Sequence, residues 1–164
     1  MNRNNRYDSL FRYYGELNGV DWLLLKAQVR AESGFNPDAL SIAGASGLSQ
    51  FMSNTWKEWG DGKPGVIPFP PDGLYDPRDP EDAIRAQAAY MAWLKRQFGG
   101  DIRLTLAAYN CGIGRVMKLA EDKTFRSMQL KLPKETKEYI ARVSAFYEEY
   151  ILEQTKRRET VYAP

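Results

Sequence analysis

One glutamate of this chain, Glu32, has the sequence surroundings expected of a general acid. It closes an apolar run from Trp22 to Val29, and the helix-breaking stretch SGFNP at 33–37 follows at once. Burial beside an apolar helix disfavours the charged carboxylate, so such a group can hold a proton near neutral pH and give it to a leaving group. The pattern predicts acid catalysis by Glu32.

A second segment, GASGLSQFM at 44–52, combines small residues with a single amide, Gln50. Small residues let a ligand approach the backbone closely, and an amide can hold it through hydrogen bonds. Together with Glu32, this composition indicates a carbohydrate-cleaving site built around one acid.

The chain contains no histidine and a single cysteine, Cys111. Catalysis by Ser-His-Asp or Cys-His groups is therefore excluded, as is zinc bound through histidine. Cys111 cannot form a disulfide within the chain or a multi-thiolate metal site. We predict chemistry that uses carboxylates, tyrosines, amides or backbone groups, with no metal and no cofactor.

Length and composition are those of one soluble globular domain covering residues 1–164. No apolar run is long enough to span a bilayer, and a net charge of +2 does not indicate nucleic acid binding. The basic run 156–158 fits a solvated helix end. We expect neither nucleic acid nor membrane partners.

The elements that must position these residues are helices, and no alternating strand pattern occurs. A first helix is predicted from about Asn5 to Leu17, and a last one after Pro133, with Tyr139, Val143, Phe146 and Tyr150 on one face. Between them, four residues read as helix N-caps: Asp21, Ser53, Asp79 and Asp101. Their helices should end near Ser33, after Trp59, at Phe98 and near Tyr109, so the fold class is mainly α.

Residues 60–80 form a long loop rich in proline and glycine. We favour a wall of the substrate cleft over an insertion without function. Aromatic residues in or near the loop either stack on sugar rings or pin the loop to the core: Trp56, Trp59, Phe69 and Tyr75. Glu81 and Asp82, which look like a catalytic pair, are explained by the helix start at Asp79.

Four segments resemble, in order and spacing, the soluble lytic transglycosylase family: ESGFNP at 32–37, GASGLSQFM at 44–52, AYNCGIGRV at 108–116 and LPKETKEYI at 132–140. The match runs from about Gly19 to Tyr150. The resemblance implies a lysozyme-like, goose-type-like α-helical domain that cleaves peptidoglycan between N-acetylmuramic acid and N-acetylglucosamine.

By this resemblance, Glu32 is similar to the family's single catalytic acid. It would protonate the glycosidic oxygen while the substrate's own N-acetyl group replaces an enzyme nucleophile. The ionised Glu32 would then act as base on the sugar's 6-hydroxyl, which attacks the anomeric carbon. The product is a 1,6-anhydro end, formed without water, so the enzyme is a lyase.

The resemblance also implies a set of substrate-binding positions: Ser41, Gln50, Met52, Tyr109, Asn110, Glu135 and Tyr139. Gln50 would orient the N-acetyl group, and Tyr109 would offer its hydroxyl to the sugar. The chain departs from the family's common pattern at Ser49 and Cys111, where methionine and alanine are common. These changes affect the shape of the subsite more than its chemistry.

Two other functions remain open from the sequence. One is a hydrolytic muramidase (lysozyme) of related fold, in which Asp72 or Asp76 positions a water. The other is a non-catalytic peptidoglycan-binding or virion assembly module. Product mass separates the first from a transglycosylase, and turnover by a Glu32→Gln variant tests the second.

The first residues, Met1 to Ser9, do not form a signal peptide. We therefore expect a bacteriophage product that reaches the periplasm and cell wall within a virion or through a holin. Peptidoglycan glycan strands are the expected partner, with virion or lysis proteins as further ones. A bacterial enzyme without its leader is the alternative.

Overall fold

The structure, a computed structural model, describes residues 5–60, 75–120 and 124–161. These residues form eight helices: α1 Asp8–Asn18, α2 Trp22–Ser33, α3 Ser53–Trp59, α4 Pro80–Gln97, α5 Ile102–Cys111, α6 Ile113–Leu119, α7 Phe125–Met128 and α8 Lys134–Val161. Within the same ranges, β pairing is limited to the isolated bridges Leu40–Ser46 and Ser46–Phe51. The predicted mainly α class is confirmed.

Aspartate side chains start three of the helices as predicted. Asp21 accepts a hydrogen bond from the Leu23 amide at the start of α2. Asp79 and Asp101 do the same for the first turns of α4 and α5. Each cap satisfies backbone N–H groups that have no partner within the helix.

The predicted cap of α3 is wrong by one residue. Met52, not Ser53, occupies the N-cap position, with an extended backbone (φ −70°, ψ 146°) and no side-chain cap. The helix begins there because the Met52 carbonyl accepts the amide of Trp56 at 2.8 Å. The short helices α6 and α7 were not predicted from the sequence.

Helix α2 lies at the centre of the fold. It packs against α1, α4 and α8, and every residue from Leu23 to Val29 is buried. A helix buried on all its faces over two turns belongs inside a domain, even though it carries the polar residues Lys26 and Gln28. Helix α2 emerges from the core at its C-terminal end, where Glu32 lies and the chain turns at Gly34. Across the described residues, no helix carries an apolar stretch long enough to span a bilayer.

The segment between α2 and α3 is tied back onto the fold at two points. The Ser33 hydroxyl donates to the Leu48 carbonyl at 2.8 Å. Gly47 has φ +76°, and a Cβ there would lie 1.7 Å from the Pro77 carbonyl oxygen. Only glycine allows this close approach, so Gly47 fixes the loop against the chain before α4.

Most of the predicted 60–80 loop, including Phe69 and Asp72, lies outside the described residues. Trp59 is 2% exposed and belongs to the core. Trp56 is partly buried, with its ring 5.5 Å from that of Phe51. The Arg85 guanidinium carbon lies 4.7 Å from the centroid of the Tyr75 ring. The described contacts of these three aromatic side chains are packing contacts with the core, with Phe51 and with Arg85.

Candidate active site

The structure brings all the predicted site residues together in one cleft of about 370 Å³, here called the Glu32 cleft. That volume lies in the range of small-ligand pockets. The cleft is lined by the eight predicted residues, Glu32, Ser41, Gln50, Met52, Tyr109, Asn110, Glu135 and Tyr139, and by Ala31, Ala43, Ala45, Phe51, Thr55, Tyr90 and Arg142. Helices α2, α5 and α8 and the 39–52 segment supply most of its walls.

Burial raises the pKa of the Glu32 carboxyl to about 7. A hydrogen bond from the Tyr139 hydroxyl and the positive charge of Arg142 oppose that shift, whereas the charge of Glu135 adds to it. The desolvation cost of the charged form is the largest of these effects. Glu32 is thus protonated in a large fraction of molecules near neutral pH.

A buried tyrosine, Tyr139, and a partly buried one, Tyr109, flank Glu32 with different hydrogen bonds. Tyr109 donates its proton to the Ser49 carbonyl at 2.9 Å. Tyr139 accepts from the Gln28 amide at 3.0 Å, which leaves its own proton for Glu32. Burial, and next the charge of Glu32, raise the pKa of both phenols well above 10. Both hydroxyls remain neutral throughout the physiological pH range.

Gln50 is held with its amide nitrogen turned away from the cleft. Its Nε2 donates to the carbonyls of Ala39 at 3.1 Å and Gly47 at 2.9 Å. Because both partners are acceptors only, the assignment of nitrogen and oxygen is fixed. The backbone of Gln50 has φ +48°, a conformation uncommon for a residue with a side chain. The remaining Oε1 can only accept hydrogen bonds.

The other predicted residues offer complementary groups. The Ser41 hydroxyl accepts the amide of Ala45 at 2.9 Å, so its proton is available to a ligand. The Asn110 oxygen accepts from the Thr136 hydroxyl at 2.8 Å, which leaves the amide nitrogen as a donor. Met52 and Glu135 are exposed at the cleft surface. The cleft therefore presents donors and acceptors at separate positions.

Sequence reasoning missed Arg142, Tyr90 and Thr55 in the cleft lining. A signal for Arg142 was present, because positions 135, 139 and 142 follow the i, i+4, i+7 spacing of one helix face. Tyr90 and Thr55 carry no comparable signal, since they reach the cleft through packing of α4 and α3.

Other carboxylates that attracted attention in the sequence lie elsewhere. Asp76 accepts from the Arg78 amide at 2.8 Å and does not line the cleft. Glu81 accepts the Tyr14 hydroxyl at 2.7 Å, and Asp82 pairs with Arg85. The interpretation of Glu81 and Asp82 as first-turn residues of a helix is confirmed. Within the described ranges, the carboxylates that line the cleft are those of Glu32 and Glu135.

The helical core, with one half-buried carboxyl group in a polar cleft, belongs to the lysozyme-like class of folds by its match to solved structures. The 70-kDa soluble lytic transglycosylase in complex with bulgecin A matches with a TM-score of 0.73 and 31% identity, covering 90% of this chain and 25% of that chain. An inactive mutant of the lytic transglycosylase Slt from Pseudomonas aeruginosa matches with a TM-score of 0.73 and 26% identity, over 92% of this chain and 25% of that chain.

The model of the transglycosylase SLT domain matches residues 9–131, and the chain belongs to that family. Membrane-bound lytic murein transglycosylase D of Escherichia coli K12 is 36% identical over 132 residues, which are 77% of this chain and 27% of that protein. Peptidoglycan transglycosylase gp16 of Escherichia phage T7 is 39% identical over 110 residues, 67% of this chain and 8% of that protein. The chain thus spans about a quarter or less of the length of these relatives.

Proposed function

We propose that this chain is a peptidoglycan lytic transglycosylase that cleaves the β-1,4 bond between N-acetylmuramic acid and N-acetylglucosamine. The observation that carries the proposal is Glu32, whose pKa of about 7 suits both proton donation and proton acceptance. Its cleft is lined by the positions that the family motifs assign to substrate. Relatives named for the same activity, and a solved relative that is an inactive mutant with glutamine in place of a glutamate, support it.

In the first step, neutral Glu32 donates its proton to the glycosidic oxygen. The carbonyl oxygen of the substrate's N-acetyl group attacks the anomeric carbon as the bond to the leaving sugar breaks. Gln50 suits this step, because its Oε1 is left to accept the N–H of the acetamido group. Holding that N–H would aim the carbonyl oxygen at the reacting carbon.

In the second step, the Glu32 carboxylate takes the proton of the 6-hydroxyl. The hydroxyl oxygen attacks the anomeric carbon, displaces the acetamido oxygen and closes a 1,6-anhydro ring. Tyr139 and Arg142 stabilise the carboxylate between the two steps. Glu32 ends protonated as it began, and no water is consumed.

The remaining cleft residues are proposed to bind the glycan strand. Ser41 and Asn110 offer donors, and Glu135 offers acceptors to sugar hydroxyls. Met52 supplies an apolar surface at the cleft edge. Because the Tyr109 proton is engaged by Ser49, Tyr109 would accept from the substrate, not donate to it.

Mass spectrometry of the products from purified sacculi tests the proposal. The wild type should yield 1,6-anhydro ends, and Glu32→Gln should lower turnover by about a thousandfold or more, because removal of the general acid also removes the base. Asp76→Asn, outside the cleft, is the matched control and should retain turnover.

Three results would contradict the proposal in different ways. Products heavier by one water would identify a hydrolytic muramidase, and loss of activity in Asp76→Asn would support that outcome. Unchanged turnover in Glu32→Gln would exclude Glu32 as the acid. Wild-type protein that binds sacculi without cleaving them would be a non-catalytic binding or assembly module.

We further propose that the chain acts on the bacterial cell wall during phage entry or lysis, on the strength of its similarity to the phage T7 protein. Delivery within a virion predicts that the chain copurifies with particles and degrades sacculi when they are opened. Release through a holin predicts that it is found only in lysates. A chain encoded away from any phage genes would contradict both.

A further inference from the structure

Three polar side chains lie fully buried beneath the Glu32 cleft: Gln28 on α2, Gln87 on α4 and Ser49 in the loop between α2 and α3. A buried amide is costly unless its donors and acceptors are satisfied. Here the two amides contact each other and connect the core with the cleft. This arrangement decides in which direction the Tyr139 hydroxyl proton can point.

The direction of each hydrogen bond in this chain of groups is fixed. Gln87 lies 3.1 Å from the Leu25 carbonyl, which can only accept, so Gln87 must present its NH2 group there. The same nitrogen lies 2.7 Å from the Gln28 side chain, so the Gln28 atom at that contact must be the oxygen. Gln28 therefore has only its NH2 group left to face Tyr139.

The Tyr139 phenol has one proton and can therefore donate only one hydrogen bond. Gln28 Nε2 donates to the Tyr139 oxygen at 3.0 Å, so the Tyr139 proton cannot point back toward Gln28. Tyr139 and Glu32 line the same cleft, so the Glu32 carboxylate is an acceptor toward which that proton can turn. A flipped Gln28 amide would instead accept that proton and withdraw it from Glu32. The Ser49 hydroxyl donates to the Ala83 carbonyl at 3.2 Å and lies 3.5 Å from Gln87 Oε1, so it leaves the orientation set by Leu25 unchanged.

We propose that Gln87 and Gln28 form an amide relay, a pair of positioning residues that directs the Tyr139 proton onto the Glu32 carboxylate. Neither amide touches substrate, and both act through Tyr139. The relay stabilises the ionised Glu32 that must accept the proton of the 6-hydroxyl. This role rests on the proposed transglycosylase function.

Other titratable groups near Glu32 must stay unchanged in a test of the relay. Tyr139, Glu135 and Arg142 face it from α8, and Tyr109 faces it from α5, with Tyr90 of α4 next to Tyr109. Substitution of Gln28 by methionine changes none of these groups and preserves side-chain volume approximately. A changed pKa of Glu32 in that variant would therefore be caused by the altered hydrogen bond at Tyr139.

The experiment is a titration of Glu32 by NMR with carboxyl-labelled glutamate, assigned by its loss in Glu32→Gln. In Gln28→Met the pKa of Glu32 should rise by roughly 0.5, because the Tyr139 hydroxyl loses the Gln28 N–H donor that polarises it. Tyr139→Phe should raise the pKa further. The double variant should match Tyr139→Phe alone, since the relay acts only through that hydroxyl.

Thr105→Val is the matched control for losing a buried hydrogen bond, since Thr105 is fully buried and its hydroxyl donates to the Asp101 carbonyl at 2.8 Å. It should leave the titration of Glu32 unchanged. If Gln28→Met does not fold, Gln87→Leu removes the group that orients Gln28 and should give the same upward shift.

An unshifted Glu32 titration in a folded Gln28 or Gln87 variant overturns the relay, as does a shift that persists in the Tyr139→Phe background. The titration is independent of turnover. Wild-type protein that releases no anhydro product therefore contradicts the proposed function without deciding the relay.

Discussion

The pKa of Glu32, raised to about 7 by burial, sets a pH limit on the proposed reaction. The free enzyme must hold the proton that it gives to the glycosidic oxygen. We expect kcat/KM to fall about tenfold per pH unit above roughly pH 7, since only the protonated fraction is competent. A pH profile with soluble glycan strands measures this. A profile flat up to pH 9 would contradict it.

The same raised pKa makes the stability of the fold depend on pH. Folded Glu32 keeps its proton up to about pH 7, whereas in the unfolded chain it titrates near its ordinary value of 4.5. The folded state binds more protons between these values, so this contribution to stability is complete below pH 4.5 and is lost as the pH rises through 7.

Glu32→Gln removes this dependence and serves as a stability test. At pH 8 the variant should be more stable than the wild type, by on the order of 2 kcal/mol, because no charge is buried. At pH 4 the two proteins should be nearly equal. Urea unfolding at both pH values measures the difference. An equal gain in the free energy of unfolding at pH 4 and at pH 8 would point to a cause other than ionisation of Glu32.

The candidate residues of the cleft were predicted from motif resemblance, and the structure places all of them around one cavity. Their hydrogen-bond directions were not predictable. The oxygen of Gln50 is left for a ligand because the carbonyls of Ala39 and Gly47 accept its nitrogen, an arrangement set by the fold of this loop that no sequence pattern shows. Gln28 and Gln87 were missed because an amide within an apolar helix gives no sign of its partner.

At the scale of elements, the position of α5 depends on its aspartate cap. Asp101 accepts from the amides of Arg103 and Leu104. Asp101→Ala should lower the free energy of unfolding by about 1 kcal/mol, because two N–H groups lose their partner. Asp101→Asn, which can still cap, is the control and should lose less than half as much. Equal losses would assign the effect to charge.

The loop between α2 and α3 allows a paired glycine test. Gly44 and Gly47 both have positive φ, at +87° and +76°, but only a Cβ at Gly47 would meet the Pro77 carbonyl. Gly44→Ala should cost about 1 kcal/mol for the strained backbone alone. Gly47→Ala should cost at least about 2 kcal/mol more, because the loop must also move. Thermal unfolding of both variants decides, and similar costs would argue against the close approach.

Sequence patterns predicted elements where the signal is local. The caps at Asp21, Asp79 and Asp101 were readable because a capping side chain and its N–H partners lie within three residues. Helices α6 and α7, of seven and four residues, are too short to display helical periodicity. The equally short α3 was predicted only because Ser53 resembles a helix cap. The close approach of Gly47 to Pro77 was invisible, since it joins separate segments.

At the scale of the whole molecule, the cleft forms only when the helices of the core are packed together. Glu32, Tyr109 and Tyr139 lie on three helices and meet only when α2, α5 and α8 are docked. We expect turnover and far-ultraviolet circular dichroism to be lost at the same urea concentration, as in a two-state domain. Activity that disappears well before the helices unfold would instead show that the cleft opens independently.

A cluster of aromatic rings connects the cleft with the core. Phe51, Tyr90 and Tyr109 line the cleft, and their ring centroids lie 5.3 to 6.1 Å apart. Tyr90 in turn lies 5.0 Å from Trp59 and 6.0 Å from Trp93. At such separations, a tyrosine transfers its excitation energy to a neighbouring tryptophan, which then fluoresces. We expect a glycan bound as proposed beside Tyr109 to change the tryptophan fluorescence excited through these tyrosines, which would give an unlabelled reporter of cleft occupancy.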